Sequence, residues 1–362
     1  MPQSGRGSRW LSILMVIIAF LALVRFQGGQ RALLSRCTAV YPRAPTFYQW
    51  ISDHELLLFK PASADQRGNG WTLVRGDLST GIETPLKAAA TGFPRRSDAP
   101  TCAAISPDGR WLLWRDKTKI VVARLDGTLR RTWDDSANWH AELNPGLPHW
   151  QNDSRHFAEL LTRHVDNLYS TPYYGAVDIR GVEAPDDERI VAIPRRTEFE
   201  SSYLEPPHPT SDDKVFAASD ETSGTKTMLF VSLKADKPIR KLAIHAPTGT
   251  EFISRPSDNY TSVALSPRGD RVAWLCVSPP HAPPLQELLH WMLPRVNTRT
   301  QRTFSIWISR VDGADMLELG EIETNEDDKD TFRSGVSNVV WLPSGGYLGF
   351  AYNNTVYRVP VN

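Results

Sequence analysis

Cysteine is scarce in this chain: three among 362 residues, at Cys37, Cys102 and Cys276. They are too few and too scattered for a disulfide framework or for a zinc site with Cys-x-x-Cys spacing. At most one bridge is open to them, and the plain reading is three small buried hydrophobes. Net charge is missing as well, because 41 basic residues balance 41 acidic ones. The two signs are mixed along the chain, so no electrostatic footprint for nucleic acid exists and none is expected as a partner. Also absent are a Gly-x-Ser-x-Gly nucleophile elbow, a Gly-x-x-x-x-Gly-Lys phosphate loop, a His-Glu-x-x-His helix and an EF-hand loop. No catalytic residue, metal ligand or cofactor is assigned on this reading.

What is present begins at the N-terminus. Arg6 and Arg9 precede WLSILMVIIAFLALV (10 to 24), fifteen residues without a charge, followed by Arg25 and Phe26. As a helix the run spans roughly 22 Å at about 1.5 Å per residue, short of the ~30 Å hydrocarbon core unless Phe26 joins it and Arg25 snorkels. No small-x-small cleavage site follows, so residues 10–26 are expected to be an uncleaved signal-anchor helix in the bilayer, with a cleaved signal peptide as the alternative. Residues 1–9 form a short basic tail and 27–31 a linker. Positive charge is nearly tied across the run, so orientation follows from the signal-like order of basic tail, apolar core and globular chain. The bulk of the chain is placed on the extracytoplasmic side, in a bacterial envelope setting.

Beyond the linker one pattern returns. AISPDGRWLLW (104 to 114) sets Ser, Pro, Asp and Gly in the places a type I turn prefers, with Gly109 where a bulged hairpin needs φ > 0, and then an apolar strand. Copies stand at QWISDHELLLF (49 to 59), HWQNDSRHFAEL (149 to 160), HPTSDDKVFAAS (208 to 219), VALSPRGDRVAWLCV (263 to 277) and VVWLPSGGYLGFAY (339 to 352). Pro and Gly hold their places at Pro267 and Gly269 and at Pro343 and Gly345, whereas His54, Ser154 and Asp213 replace the glycine. Ser154 is the weakest link, since a serine is poorly suited to positive φ. No polar side chain is invariant among the copies, so the repeat encodes backbone geometry rather than a repeated ligand site.

After each apolar run a further strand-like segment closes in a turn signal, as in KIVVARLDG (119 to 127) and SIWISRVDG (305 to 313). Each unit therefore reads as one four-stranded antiparallel blade, and the set as an all-β propeller of six blades, with seven as the alternative. Residues 32–362 make the propeller, and residues 32–42 are expected to supply the missing outer strand of the last blade. SPDG followed by an apolar strand, then a strand ending near Asp-Gly, resembles the PD40 or WD40-like repeat of TolB-type six-bladed propellers. The same repeat builds the propeller domains of relatives of prolyl oligopeptidase and dipeptidyl peptidase IV. The resemblance implies a fold and leaves activity open, because propellers host many functions.

Candidate site residues fall into two groups. An insertion at 278–303 holds LQELLHWML after Pro283 and Pro284 and before Pro294, a short helix with proline boundaries. Its Leu285, Leu288, Leu289, Trp291 and Met292 are expected to contact a partner, or else to pack on the propeller. Asp98, Asn144, Glu205, Asn259 and Arg333, near the starts of innermost strands, are the candidates for the mouth of the central channel. His140, His149, His156 and His164, with Glu142, Asp153 and Glu159, lack metal-ligand spacing and read as structural or surface groups. EIETNEDDKD (321 to 330) reads as a solvated link between blades. Links between second and third strands and between blades should share one face, opposite the SPDG turns. The anchor reaches the turn face through about eight residues spanning at most ~28 Å, which points the insertion face away from the bilayer.

The functional expectation is a membrane-anchored, non-catalytic propeller that binds a protein or an envelope component. An enzyme of the six-bladed lactonase-like or lyase-like class, or a small-ligand sensor, using the central channel, is the alternative.

Overall fold

The computed structural model describes residues 32–42, 47–61, 71–86, 103–116, 119–134, 149–151, 153–163, 173–184, 188–192, 208–209, 214–222, 225–232, 240–253, 263–280, 301–325 and 336–361. Short helix α1 (Leu33–Arg36) leads into β1 (Thr38–Pro42). Sheet one is β2 (Phe47–Ser52), β3 (Glu55–Pro61), β4 (Trp71–Asp77) and β5 (Glu83–Pro85); sheet two is β6 (Ala103–Ile105), β7 (Trp111–Asp116), β8 (Lys119–Arg124) and β9 (Arg130–Asp134). Sheet three is β10 (His149–Trp150), β11 (His156–Arg163), β12 (Tyr173–Gly181) and β13 (Glu188–Ala192). Sheet four is β14 (His208–Pro209), β15 (Lys214–Thr222), β16 (Thr225–Ser232) and β17 (Arg240–His245). Sheet five holds β18 (Glu251–Phe252), β19 (Val263–Leu265), β20 (Arg271–Val277), β21 (Gln301–Arg310) and β22 (Leu317–Asn325). Sheet six orders β23 (Ser337–Trp341), β24 (Tyr347–Tyr352), β25 (Thr355–Pro360) and then β1.

Within each sheet the strands pair antiparallel with their chain neighbours, so every sheet is a meander. Sheet five departs only in that its inner strand comes in two collinear pieces. Glu251 and Phe252 pair with Val277 and Cys276, and Val263 to Leu265 pair with Trp274 to Val272. The N-terminal strand completes sheet six: Thr38 lies opposite Arg358 and Pro42 opposite Thr355. One edge of that sheet is thereby covered by the other end of the chain.

The second strand of each sheet explains the apolar runs. Successive side chains on a strand point to opposite faces, and here both faces meet a neighbouring sheet. Leu57 and Phe59 join a cluster with Leu112, Trp114 and Val121 of sheet two, while Leu56 and Leu58 pack with Leu342 and Val356 of sheet six. Trp111 and Leu113 meet Trp150 and Phe157 of sheet three. Val272, Trp274 and Cys276 pack with Ile244 of sheet four, and Ala273 and Leu275 with Val339, Leu348 and Phe350 of sheet six. Inner strands β10 and β14 bring sheets three and four side by side. Sheets that pack face to face in a closed succession are β-propeller architecture.

Three expectations change at this level. Leu33–Arg36 is a helical turn rather than strand, because turning there buries Leu33 completely among Ile306, Ile308 and Leu319. The Arg36 Nη1 donates to the Leu319 carbonyl at 2.6 Å, and Ala32 forms a parallel bridge to Glu321. Residues 321–325 are not an inter-blade link: they belong to β22, where Ile322 and Thr324 are buried and Glu323 is exposed. The insertion shortens to 278–300, since Gln301 already pairs with Asn325. The N-terminal run 10–26 lies outside the described residues, and among those described no helix is long and apolar enough to cross a membrane.

Candidate functional site

The turn between first and second strands is built the same way four times. Gly109 N–H donates to the Ser106 carbonyl at 2.8 Å while Ser106 N–H donates to Trp111; the same pair of bonds recurs at Gly269 with Ser266, Gly345 with Leu342, and Ser154 with Gln151. The fourth turn residue is left-handed in each, with φ of 68° at Gly109, 71° at Gly269, 72° at Gly345 and 58° at Ser154. Ser154 holds the strained position that its sequence aligned it to. The first copy is different: Ser52 pairs directly with Glu55, so Asp53 and His54 form a two-residue turn, and His54 is not among the left-handed residues.

Polar side chains in these turns are consumed by the turns themselves. Ser106 Oγ donates to Asp108 Oδ1 at 2.6 Å and accepts from Trp111 N–H at 2.9 Å, and Asp108 Oδ1 also accepts from Arg110 N–H at 3.0 Å. Asp270 receives the Ser266 hydroxyl at 2.8 Å in the same way. Neighbouring turns also touch. Asp108 N–H donates to Ser154 Oγ at 3.0 Å, Ser344 N–H to Asp53 Oδ1 at 3.2 Å, and Arg358 Nη1 to the Asp53 carbonyl at 2.9 Å. A Cβ on Gly109 would stand 2.5 Å from Ile51 Cγ2. These contacts make one face of the ring tight and self-satisfied.

Inner strands are tied across sheets as well. Trp150 Nε1 donates to the Ala104 carbonyl at 3.0 Å, and Trp341 Nε1 to the Ala264 carbonyl at 2.9 Å. Gln49 bridges to sheet two, accepting from Ile105 N–H at 2.8 Å and donating to the Ala103 carbonyl. Trp50 occupies the matching place in sheet one, but its Nε1 has no partner. Its indole lies over Gly349, where a Cβ would come within 2.3 Å, and β23 is bulged at the left-handed Asn338.

Of the histidine group, His149 and His156 are described, while His140, Glu142 and His164 lie outside the described residues. His156 Nδ1 sits 2.5 Å from Asp153 Oδ2, and Asp153 Oδ1 accepts from the backbone N–H of Arg155 and His156 at 2.8 and 3.0 Å. Against partial burial, which raises it, these contacts led by the His156 hydrogen bond hold the Asp153 carboxyl below its ordinary value. The pair closes its own turn. No group of three His, Cys, Asp or Glu side chains able to hold a metal occurs among the described residues. Cys276 is buried and Cys37 half-buried, both unbridged; burial pushes the Cys37 thiol up to about 12, with Arg36 opposing. Cys102 is outside the described residues.

Connections on the other face vary far more in length: segments there include 62–70, 86–102, 135–148, 164–172, 193–207, 278–300 and 326–336 beside two-residue links at 117–118, 223–224 and 353–354, against two to seven residues at every connection on the turn face. Asp98, Asn144, Glu205, Asn259 and Arg333 lie outside the described residues, as do Leu285, Leu288, Leu289, Trp291 and Met292. What the strands fix is where these segments attach. β6, β10, β14, β19 and β23, which follow the five channel-mouth candidates in the chain, are inner strands that run into the short turns.

One concavity was not signalled by the sequence. A depression of about 360 Å³ lies between sheets four and five, lined by Ile244, His245, Pro247, Trp307, Asp312, Gly313 and Met316. It is open, and its floor is apolar with His245 and Asp312 on the lips. Asp312 caps its own turn by accepting from Ala314 N–H at 3.1 Å, and Trp307 Nε1 donates to Ser305 Oγ at 2.9 Å. The Asp312-Gly313 pair read as a turn, which it is.

No family model matches the chain, and no curated protein does. Among solved structures, a putative TolB from Agrobacterium tumefaciens is similar at 14% identity over 87% of this chain and 90% of that one, with a TM-score of 0.45. An oligogalacturonate lyase in complex with manganese is similar at 13% identity over 90% of each chain, TM-score 0.46. An oligogalacturonate lyase from Vibrio parahaemolyticus is similar at 12% over 90% and 91%, TM-score 0.46. Likeness at this level transfers no residue roles, and the class of protein, a β-propeller, rests on the sheet order and packing.

Proposed function

We propose that this chain is a six-bladed, membrane-anchored propeller that binds a protein or envelope component through the face opposite its short turns. Residues 10–26 hold it in the bilayer, and the propeller stands on the extracytoplasmic side. The observation that carries the reading is the asymmetry of the two faces. On one, turns of two to seven residues spend their hydrogen bonds on one another; on the other, the links between strands range from 2 to 23 residues. Binding residues concentrate on long loops positioned by a rigid scaffold.

The segment 278–300 is the leading contact element, with Leu285, Leu288, Leu289, Trp291 and Met292 as its apolar side chains. Asp98, Asn144, Glu205, Asn259 and Arg333 contribute to the same face. Cross-linking in cells followed by mass spectrometry, comparing the intact chain with one lacking 281–300, tests this directly. Loss of specific protein cross-links with unchanged membrane retention and unfolding temperature supports the reading. An unchanged set of partners removes the insertion from it.

A further inference from the structure

Large hydrophobic side chains stand exposed at three places among the described residues: Leu34 at 36%, Leu317 at 53% and Ile82 at 62%. Leu317 opens β22, the outermost strand of sheet five; Ile82 immediately precedes β5, the outermost strand of sheet one. Leu34 lies in α1, just before β1, which is the outermost strand of sheet six. Ile82 and Leu317 therefore mark the turn-face entry to an outermost strand, and Leu34 lies in the segment that leads into one. The sheets that carry them are consecutive, since one core cluster joins five to six and another joins six to one.

The backbone at Ile82 is fixed by its own turn. Asp77 N–H donates to the Ile82 carbonyl at 2.9 Å, and Ile82 N–H to Thr80 Oγ1 at 3.3 Å. In sheet two the matching residue, Leu129, is half-buried against the Trp111 and Phe157 cluster. Among the described residues the exposed large hydrophobics are confined to sheets five, six and one. The chain enters the propeller among these sheets: Ala32 bridges to Glu321, and the Arg36 guanidinium holds the Leu319 carbonyl. From the last residue of the apolar run, Val24, to Ala32 the chain spans eight residues, at most about 28 Å when fully extended.

We propose that this sector of the rim, marked by Leu34, Ile82 and Leu317, rests on the lipid bilayer surface. The proposal depends on the reading of residues 10–26 as the membrane segment. A tether of that length keeps the entry point beside the headgroups, where exposed apolar side chains enter the acyl boundary.

The test uses the full chain reconstituted in vesicles of phosphatidylethanolamine and phosphatidylglycerol, with p-benzoylphenylalanine placed singly at 34, 82, 317 and, as the far-face control, 119. Lys119 is exposed and begins β8 on the opposite face. Lipid adducts at least fivefold more abundant at 34, 82 and 317 than at 119 support the proposal. Carbonate washing that strips the chain from the vesicles overturns the anchor and the rim contact together. A chain that resists the wash but gives equal adducts at all four positions, or adducts to a second copy in place of lipid, overturns the rim contact alone.

Discussion

At the turn face the chain reverses within two to seven residues every time, and neighbouring reversals touch; at the opposite face it wanders for up to 23 residues between strands. One sequence repeat produces both. The SPDG-type turn is specified by backbone conformation, so the four copies built that way keep a left-handed fourth residue while their side chains differ. Connections on the other face carry no such constraint and differ in length from 2 residues at 117–118 to 23 at 278–300. Geometry is repeated where the ring is closed, and variation is placed where recognition is proposed.

The largest effect is expected from breaking what joins the faces. Leu33 is fully buried between sheets five and six, so Leu33→Ala should cost about 4 kcal/mol, with urea denaturation as the measurement. A variant within 1 kcal/mol of the parent would mean the N-terminal segment is not part of the closed ring. Next come two copies of one turn. Gly109→Ala adds a Cβ 2.5 Å from Ile51 Cγ2 at φ 68°, and should cost about 3 kcal/mol. Gly345→Ala meets nothing nearer than Pro267 Cδ at 3.8 Å at φ 72° and should cost about 1 kcal/mol. Equal losses would show that conformation alone, without the contact between neighbouring turns, sets the cost.

The smallest effect lies on the outer surface, where Lys60 Nζ stands 2.5 Å from Glu83 Oε2 and the Tyr41 hydroxyl donates to Glu83, linking β1, β3 and β5. The Lys60 and Tyr41 hydrogen bonds, in that order, hold the Glu83 carboxyl below its ordinary value. A depressed folded pKa contributes stability above the unfolded value and loses it as pH falls through the folded one. Glu83→Gln should therefore cost about 0.5 kcal/mol at pH 7, as an exposed pair does, and progressively less as pH falls through the lowered folded value of Glu83. A difference that persists in acid would assign the loss to packing.

Much of the fold was legible because turn chemistry is local. Pro107 and Gly109, Pro267 and Gly269, and Pro343 and Gly345 fix their turns through φ alone, and Ser154 could be read as strained before its φ was seen. His54 misled, since a two-residue turn needs no left-handed fourth residue. Residues 321–325 misled differently: the count of carboxylates hid the alternation Glu321, Ile322, Glu323, Thr324, which is a strand signal. Leu33–Arg36 carries no pattern that separates strand from helix; only the cavity between two sheets decides it. The rim residues Leu34, Ile82 and Leu317 stand far apart in sequence, so nothing short of the ring order relates them. Channel-mouth and insertion candidates were chosen by topology, and they lie outside the described residues.

The most direct test compares the two ends of a single sheet. Arg110 precedes β7 on the turn face, and Lys119 begins β8 on the opposite face. With p-benzoylphenylalanine placed at 110 or at 119 in the full chain and irradiated in cells, the account predicts protein adducts at 119 and none above background at 110. Adducts at 110 with none at 119 would contradict it.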